Sequence, residues 1–201
     1  ITSAYRNSFF NPSKYAEHKV AIASVRAGNV IGGGDWSADR LIPDLIRAIV
    51  AKEEVVIRNP SSTRPWQHVL EPLSGYIQLA ELLYNNGVEF GEGWNFGHQI
   101  SDAKTVEWII NNFSKVWGDG LNYRIEENIA NPHEAHYLKL NCEKAEKKMG
   151  WRANWSLDET IQNVCAWYKD YLLGKNMYEA TIGQIEKYEQ KIAKNYREKV
   201  A

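Results

Sequence analysis

The sequence predicts an α/β fold. Segments with the composition of β-strands alternate along the chain with amphipathic helical segments, which is the pattern of a largely parallel sheet covered by helices. The segment 19–26 is almost continuously apolar, as expected of a strand that is buried on both faces, and 93–97 has the same character. Because two strands do not form an independent sheet, we expect further strands outside this sequence.

Local patterns assign the elements of the first half. Ile1, Tyr5 and Phe9 recur at helical spacing, and Asn11-Pro12-Ser13 ends that helix because proline disfavours helix in the residue before it. A strand over 18–26 leads into a glycine-rich segment, 28–40, which predicts a loop. A helix over 41–52, a strand over 55–57, an extended segment over 66–69 and a helix over 70–84 follow.

The second half is predicted in the same way. The order is a strand over 93–97, a helix over 105–117, a strand over 122–125, a polar loop over 128–137 and a helix over 141–149 with Asn141 as its N-cap. Ser156 with Glu159 forms a capping-box pattern, which predicts a helix running to about residue 173. A charged amphipathic helix over 182–201 should turn Ile185, Tyr188, Ile192 and Tyr196 inward.

Composition excludes several classes of protein. Of the 201 residues, 44% are hydrophobic and 24% are charged, which is ordinary for a globular domain, and the net charge of −1 provides no basic field for nucleic acid or an anionic membrane. The two cysteines, Cys142 and Cys165, predict no disulfide framework and should pack as small buried hydrophobes. Without a membrane-spanning run or a leader, the sequence indicates a cytoplasmic protein. Because it starts at Ile1 within a helix, we expect it to be part of a longer chain.

Three segments carry candidate binding chemistry. The segment 26–36 follows a buried strand, where open α/β sheets bind ligands, although its glycines do not form the G-x-G-x-x-G dinucleotide fingerprint and a plain tight turn is the alternative. Asp39-Arg40-Leu41-Ile42-Pro43 opens the next helix. Within 58–69, the guanidinium of Arg64 suits a pyrophosphate, and a surface ion pair is the alternative interpretation of each arginine.

Two further hypotheses come from side-chain chemistry. His133, Glu134, His136 and Cys142 are close in sequence, but their spacing is not the helical H-E-x-x-H pattern, so we expect no metal site. The eight tryptophans are expected to pack in the core, and exposed coplanar indoles would instead indicate a carbohydrate-binding surface.

Several motifs together resemble a known family. RAGNVIGGGDW, DRLIPD, RPWQHVLEPLSGY, EGWNFG and HEAHYLKLNCEKA occur in this order. They resemble the extended short-chain dehydrogenase/reductases that act on nucleotide sugars, most closely the CDP-glucose 4,6-dehydratase family, up to about residue 182. The resemblance implies the C-terminal part of a Rossmann-type fold plus a smaller α/β substrate-binding lobe. It also implies NAD-dependent dehydration of CDP-glucose to CDP-4-dehydro-6-deoxyglucose.

The resemblance implies roles for particular residues. Asn29 would contact the diphosphate region of the sugar nucleotide, Arg40 and Leu41 would hold the nucleotide, and Arg64 would bind the pyrophosphate. The backbone at Ala27 and Gly28 would lie near the nicotinamide. Within the loop 132–137, the candidate nucleotide contacts are Glu134, His136 and Tyr137. The opening ITSAYRNSFFNP resembles the segment just after the family's catalytic Tyr-x-x-x-Lys pair, so the resemblance implies that no catalytic residue lies in this chain.

The resemblance also implies an organisation and partners. Residues 1–28 and 93–118 would belong to the NAD-binding Rossmann domain, 29–92 and 119–182 to the substrate lobe, and 183–201 to a C-terminal helix of unassigned role. The N-terminal cofactor-binding half would lie outside this sequence. A homodimer engaged in deoxysugar and O-antigen biosynthesis, without nucleic-acid or membrane partners, is expected. The alternatives are another nucleotide-sugar epimerase or dehydratase, and a non-catalytic carbohydrate-binding module.

Overall fold

The computed structural model describes residues 1–57, 59–98, 103–118, 120–126, 138 and 140–200. The helices are α1 Thr2–Phe9, α2 Tyr15–His18, α3 Leu41–Ala51, α4 Leu70–Asn86, α5 Val106–Trp117, α6 Glu143–Met149, α7 Leu157–Leu172 and α8 Met177–Val200. The strands are β1 Ser24–Ala27, β2 Asn29–Ile31, β3 Glu54–Ile57, β4 Thr63–Arg64, β5 Trp66–His68, β6 Gly93–Phe96, β7 Lys104–Thr105 and β8 Asn122–Ile125. The predicted α/β class is confirmed.

The described strands pair two by two. Three pairs are parallel, β1 with β6, β2 with β5 and β3 with β8, and β4 with β7 is antiparallel. Strands β1 and β2 are separated by Gly28 alone and yet join different partners, so the chain changes sheet at this residue. A Cβ at Gly28 would overlap the carbonyl of Pro65, which shows how closely the two strand pairs approach there. A crevice at such a divergence is where open α/β sheets place their ligands.

Two apolar clusters hold these elements together. The first packs helices α3, α5 and α7 around β3 and includes Leu45, Ile46, Ile109, Phe113, Ile161 and Tyr168. The second packs α4 and α6 against β6 and includes Leu79, Phe90, Trp94, Phe96, Met149 and Trp151. The amide of Gln67, on β5, donates a 2.9 Å hydrogen bond to the carbonyl of Phe96 on β6 and so connects the two regions.

Most predicted helices are confirmed with small differences in their ends. The capping box of α7 is present, with the Glu159 amide bound to the Ser156 hydroxyl at 3.2 Å and the Ser156 amide bound to the Glu159 carboxylate at 2.8 Å. Helix α6 begins at Glu143 with Cys142 as its N-cap, so the cap predicted at Asn141 is wrong by one position. The Asn141 side chain still accepts a 2.9 Å hydrogen bond from the Glu143 amide.

The strand predictions need two corrections. The predicted strand over 18–26 shortens to Ser24–Ala27, and Val25 is 38% exposed, because the described residues supply β6 as its one neighbour and leave a face uncovered. Residues 29–31, predicted as loop, form β2 because they pair with β5. The two strands are far apart in sequence, so local patterns do not reveal this pairing.

The last helix also differs from its prediction. It begins at Met177, five residues before the predicted start, and Tyr188 is buried as expected. Tyr196 is 70% exposed, so its predicted inward position is wrong. None of the described helices combines the length and apolarity needed to cross a membrane.

Candidate functional site

A pocket of about 450 Å³ lies where β1 and β2 diverge. Its lining comes from the β1–β2 junction, the glycine-rich loop, the start of α3 and one residue of β5: Gly28, Asn29, Val30, Ile31, Gly32, Asp35, Asp39, Arg40, Leu41, Ile42, Pro43 and Trp66. Among the predicted site residues, the fold therefore brings Gly28, Asn29, Arg40 and Leu41 into one cavity. This volume suits a small organic ligand.

Strand pairing positions one wall of the pocket. Asn29 lies opposite Trp66 in the parallel register of β2 and β5, and both residues line the cavity. The indole nitrogen of Trp66 donates to the carbonyl of Lys104 at 3.1 Å, which fixes the ring. Gly32, at the end of this wall, packs so closely on Val69 that a Cβ would collide with its side chain. The wall is therefore rigid and apolar, with the Asn29 amide as a polar group on it.

The start of α3 contributes a second part of the lining. Arg40 is the N-cap residue and its side chain makes no capping hydrogen bond, while the first intrahelical bond runs from the Asp44 amide to the Arg40 carbonyl at 3.0 Å. The first-turn amides of Leu41 and Ile42 therefore have no capping side chain among the described residues. Free amides and the positive end of the helix dipole favour an anion at this position.

The charged side chains that line the pocket are Arg40, Asp35 and Asp39, and the first two form an ion pair. The guanidinium of Arg40 is 3.1 Å from the carboxylate of Asp35, and the Arg40 side chain is 63% exposed. Burial alone would raise the pKa of Asp35, but hydrogen bonds from Ser37 and from Arg40 outweigh it and lower the pKa. Asp35 is therefore ionised at neutral pH and holds the arginine at the mouth of the pocket. Asp39 adds a second carboxylate to the lining.

Arg64 and Ala27 lie outside this lining. Arg64 belongs to β4, is 8% exposed and donates to the carbonyl of Thr63 at 3.0 Å. It is two residues before Trp66, which does line the pocket. Ala27 ends β1, directly before the pocket residue Gly28. Glu134, His136 and Tyr137 lie outside the described residues, as do the other residues of the 127–137 segment.

Among the lining residues without a role assigned from the sequence, three have side chains suited to ligand contact: Asp35, Asp39 and Trp66. Asp35 and Asp39 stand within motifs that the sequence singled out, but an aspartate beside glycines is equally typical of a turn. Trp66 stands in the motif RPWQHVLEPLSGY, but as a tryptophan it was expected to pack in the core. The separation between residues 35 and 40 would have allowed an ion pair, but nothing local indicates that both residues face the same cavity.

Buried polar groups form a separate cluster beside the pocket. The His68 ring is 1% exposed, accepts a 3.2 Å hydrogen bond from the Leu70 amide at Nδ1, and has no partner for Nε2 among the described residues. Burial lowers the pKa of His68 to about 3, so the ring is neutral. Burial raises the pKa of Glu71, although hydrogen bonds from Tyr188 and from the Trp155 and Asn154 amides oppose the shift. These groups do not line the pocket and serve the structure.

The tryptophans argue against a carbohydrate-binding surface. Trp66, Trp94, Trp151 and Trp155 are at most 5% exposed, as the sequence predicts for core residues. Trp36 is 42% exposed, and its aromatic neighbours are tyrosines, with Tyr171 inclined at 51°. No pair of exposed coplanar indoles exists at the eight positions.

The two cysteines pack as small side chains without a disulfide bond. Cys165 is buried and Cys142 half-buried, and both are free, which agrees with their predicted packing role. Within the described ranges, no three histidine, cysteine or acidic side chains are grouped so that they could hold a metal ion.

Among curated proteins, the chain has a relative with high sequence identity. The chain is 53% identical over 189 residues to CDP-glucose 4,6-dehydratase of Salmonella typhimurium strain LT2. The alignment covers 94% of this chain but 52% of that protein, so the chain spans about half the length of the curated relative that it matches. No family model matches the sequence.

Solved structures share the fold at low identity. UDP-glucose 4-epimerase from Stenotrophomonas maltophila, with bound NAD and formylated UDP-arabinopyranose, has a TM-score of 0.66 at 16% identity, over 77% of this chain and 49% of that one. UDP-glucuronic acid 4-epimerase from Bacillus cereus, in complex with UDP-glucuronic acid and NAD, has a TM-score of 0.63 at 18% identity, over 79% and 48%. UDP-glucose 4-epimerase from Bifidobacterium longum, in complex with NAD+ and UDP, has a TM-score of 0.63 at 18% identity, over 83% and 53%. The Rossmann-type fold is thereby confirmed.

Proposed function

The chain is related to the CDP-glucose 4,6-dehydratases, as its motifs predict, and we propose that it is the C-terminal, substrate-binding part of such an enzyme. The whole enzyme would convert CDP-glucose to CDP-4-dehydro-6-deoxyglucose and water. On this proposal the chain binds the nucleotide sugar and contributes no acid–base or nucleophilic residue.

The observation that carries the proposal is the pocket at Gly28. It combines the Arg40 guanidinium and the uncapped start of α3, which suit a diphosphate, with an apolar wall at Trp66 and the Asn29 amide. A guanidinium offers parallel donors to two oxygens of a phosphate, and helix amides add further donors. We assign the diphosphate to the Arg40 side, with Leu41 beside it, and the sugar end to the Asn29 side.

Arg64 and the 132–137 segment complete the proposed nucleotide site. Arg64 would bind the pyrophosphate, and Glu134, His136 and Tyr137 would close over the nucleotide, as in the family that the motifs resemble. The division into a Rossmann part, 1–28 with 93–118, and a substrate lobe, 29–92 with 119–182, is part of the same proposal. The sheet change at Gly28 supports it, because the proposed boundary falls at that residue.

On this proposal, the chain contacts NAD only at the nicotinamide end of the cofactor. The small residues Ala27 and Gly28 end β1 at the crevice, where their backbone could approach a nicotinamide without a side chain intervening. The sequence holds no glycine fingerprint for the dinucleotide phosphates. When bound, NAD would accept and return the hydride, and this chain would supply only the contact from Ala27 and Gly28.

Calorimetric titration of the native full-length protein with CDP tests the proposal. Arg40→Ala and Arg64→Ala should each weaken CDP binding by about 1.5–3 kcal/mol, the usual contribution of hydrogen bonds to a charged group. Arg124→Ala is the control, because Arg124 is half exposed on β8 and pairs with Glu54 and Glu126 away from the pocket. If Arg40→Ala binds CDP as tightly as the wild type does, the pocket at Gly28 is not the CDP site.

A second candidate is another nucleotide-sugar enzyme of the same superfamily, which the shared fold with UDP-sugar epimerases favours. Titration with the CDP, UDP, GDP and dTDP forms of glucose separates the two. Tightest binding of CDP-glucose supports the dehydratase, and preference for a UDP sugar supports the alternative. An absorbance spectrum of the same sample tests for NAD.

A cytoplasmic homodimer belongs to the same proposal. Helix α1 buries none of its residues, and Tyr5 and Phe9 on it are 52% and 67% exposed, so this helix offers an apolar surface. Light scattering of the native protein should give twice the monomer mass. A monomer mass at micromolar concentration would contradict the dimer.

A further inference from the structure

The glycine-rich loop beside the pocket cannot fix its own conformation. Gly32, Gly33 and Gly34 carry no side chains, and Gly34 has a φ of +79°, a conformation that suits glycine. This loop connects β2 to Asp35, whose carboxylate holds Arg40 at the pocket mouth. The position of the arginine therefore depends on whatever holds the loop.

Helix α7 holds it through two consecutive aromatic residues. Gly33 lies flat on the indole of Trp167, so closely that a Cβ would overlap the ring, and a Cβ at Gly34 would be 3.5 Å from the same ring. The hydroxyl of Tyr168 donates a 2.7 Å hydrogen bond to the backbone carbonyl of Asp35. The Trp167 ring therefore packs against the glycines of the loop, and the Tyr168 hydroxyl hydrogen-bonds its last residue, Asp35.

Both aromatic residues are themselves fixed. The indole nitrogen of Trp167 donates at 3.0 Å to the hydroxyl of Thr181 on α8, and Thr181 donates at 2.7 Å to the carbonyl of Met177. The Tyr168 ring is fully buried in the core. Burial, with the nearby Asp35 carboxylate, raises the pKa of Tyr168 to about 12, so its hydroxyl remains a neutral donor at working pH.

We propose that Trp167 and Tyr168 are positioning residues of the nucleotide-sugar site, which set Arg40 for the diphosphate through the Gly33–Asp35 loop. The proposal rests on the proposed function of the pocket. It extends that function by giving the C-terminal helices α7 and α8, which contribute no pocket-lining residue, a role in ligand affinity. Because the route passes through Arg40, the effect should concern the diphosphate and not the nucleoside.

The test is a binding cycle in the native full-length protein with CDP and cytidine as probes. Tyr168→Phe removes the donor to Asp35 and keeps the ring, and it should raise the Kd for CDP about 3- to 10-fold. Tyr168→Phe should leave the affinity for cytidine unchanged, because cytidine lacks the diphosphate. In an Arg40→Ala background, Tyr168→Phe should no longer change CDP binding, since a double-mutant cycle isolates the coupling.

Two more variants keep the result interpretable. Tyr171→Phe is the matched control on the same helix, because the Tyr171 ring stacks on Trp167 at 5.9 Å whereas its hydroxyl makes no hydrogen bond to any residue that the structure describes, and it should leave CDP binding unchanged. Thr181→Val removes the hydrogen-bond acceptor of the Trp167 indole nitrogen at an exposed position. Like Tyr168→Phe, it should weaken CDP binding.

The outcomes separate this proposal from the function on which it rests. If wild-type protein binds CDP and Tyr168→Phe binds it equally, or if CDP and cytidine lose affinity alike in both backgrounds, the positioning role is overturned. If wild-type protein does not bind CDP, the proposed function fails. Amide hydrogen exchange of residues 32–35 then tests whether Tyr168 holds the loop. Faster exchange in Tyr168→Phe than in Tyr171→Phe supports the positioning of the loop, and equal exchange overturns it.

Discussion

The hydroxyl of Tyr188, in the last helix, donates a 2.6 Å hydrogen bond to the carboxylate of Glu71, in the first turn of α4. Both side chains are buried, and the same carboxylate accepts the backbone amides of Asn154 at 2.9 Å and Trp155 at 2.7 Å. One acidic residue therefore ties helix α8 and the segment before α7 to α4. The C-terminal helix, which the sequence left without a role, is an integral part of this structure.

Tyr188→Phe should destabilise the protein by about 1–3 kcal/mol, because it leaves a buried carboxyl group without one of its three donors. The measurement is urea unfolding followed by fluorescence. Tyr196→Phe is the matched control on the same helix, and its hydroxyl is on a ring that is 70% exposed, so its effect should stay within about 0.5 kcal/mol. Equal stability of the two variants would show that the Glu71 contact contributes nothing.

Glu71 should also make stability depend on pH. Burial, the largest effect, raises the pKa of Glu71 in the folded protein above its unfolded value of about 4.3. The folded state then binds more protons than the unfolded state in the window that begins near pH 4.3 and ends at the raised pKa, so this contribution to stability is lost as the pH rises through that window.

The non-titrating variant Glu71→Gln isolates this effect. The unfolding free energy of the wild type minus that of Glu71→Gln should fall from pH 4 upwards, with a slope of at most about 1.4 kcal/mol per pH unit for one proton. Urea unfolding of both proteins at intervals of half a pH unit measures it. A difference that rises with pH would mean that the three donors outweigh burial.

The helices were predictable because their signals are local. Ser156 and Glu159 satisfy each other within one turn, and the apolar stripe of α5 at Ile109, Ile110 and Phe113 is buried as its spacing requires. The strands were predicted less well. Residues 29–31 become a strand only because 66–68 lie alongside, and that pairing depends on tertiary structure. Tyr196 has the spacing of the apolar face of α8, but it is exposed, because α8 packs against the core near Tyr188 and not near Tyr196.

His68 should make stability depend on pH in the opposite sense. Its folded pKa of about 3 lies below the unfolded value of about 6.5, so its contribution is fully present above pH 6.5 and is lost as the pH falls toward 3. In His68→Asn, the Asn side-chain oxygen replaces Nδ1 as an acceptor for the Leu70 amide and cannot titrate. The stability of the wild type minus that of the variant should therefore decrease on acidification from pH 6.5 to 4.

Urea unfolding of both proteins across this range gives the result, and the region above pH 7 is the internal control. There the histidine is neutral in both states, so the difference between the proteins should be constant and should reflect packing alone. A difference that stays constant down to pH 4 would place the His68 ring in contact with water.

The site was predictable where a motif and the fold agree. Asn29 and Arg40 stand in motifs that follow β1 and open α3, and the sheet change at Gly28 brings them to one pocket. Arg64 lies in an equally distinctive motif, but it belongs to β4, which pairs with β7, and it is not among the residues that line the pocket. The support of the loop by Trp167 and Tyr168 could not be inferred, since more than 130 residues separate Asp35 from its hydrogen-bond donor.

Gly33→Ala should be the most damaging small substitution in the loop, because the added Cβ would overlap the Trp167 ring and force the loop away from α7. We expect a loss of about 1–3 kcal/mol in unfolding free energy from this overpacking. CDP binding should weaken as well, because the displaced loop carries the Asp35 partner of Arg40. Thermal unfolding and calorimetric titration of the same sample measure both effects.

Gly183→Ala is the control for this prediction. Gly183 lies within α8, and a Cβ there would meet no atom within 4 Å. Alanine in an exposed helix should therefore stabilise the protein by about 0.5–1 kcal/mol and leave CDP binding unchanged. Opposite signs for the two glycine-to-alanine changes would show that the cost at position 33 comes from the Trp167 contact. If Gly33→Ala is neutral in both measurements, the loop does not rest on that ring.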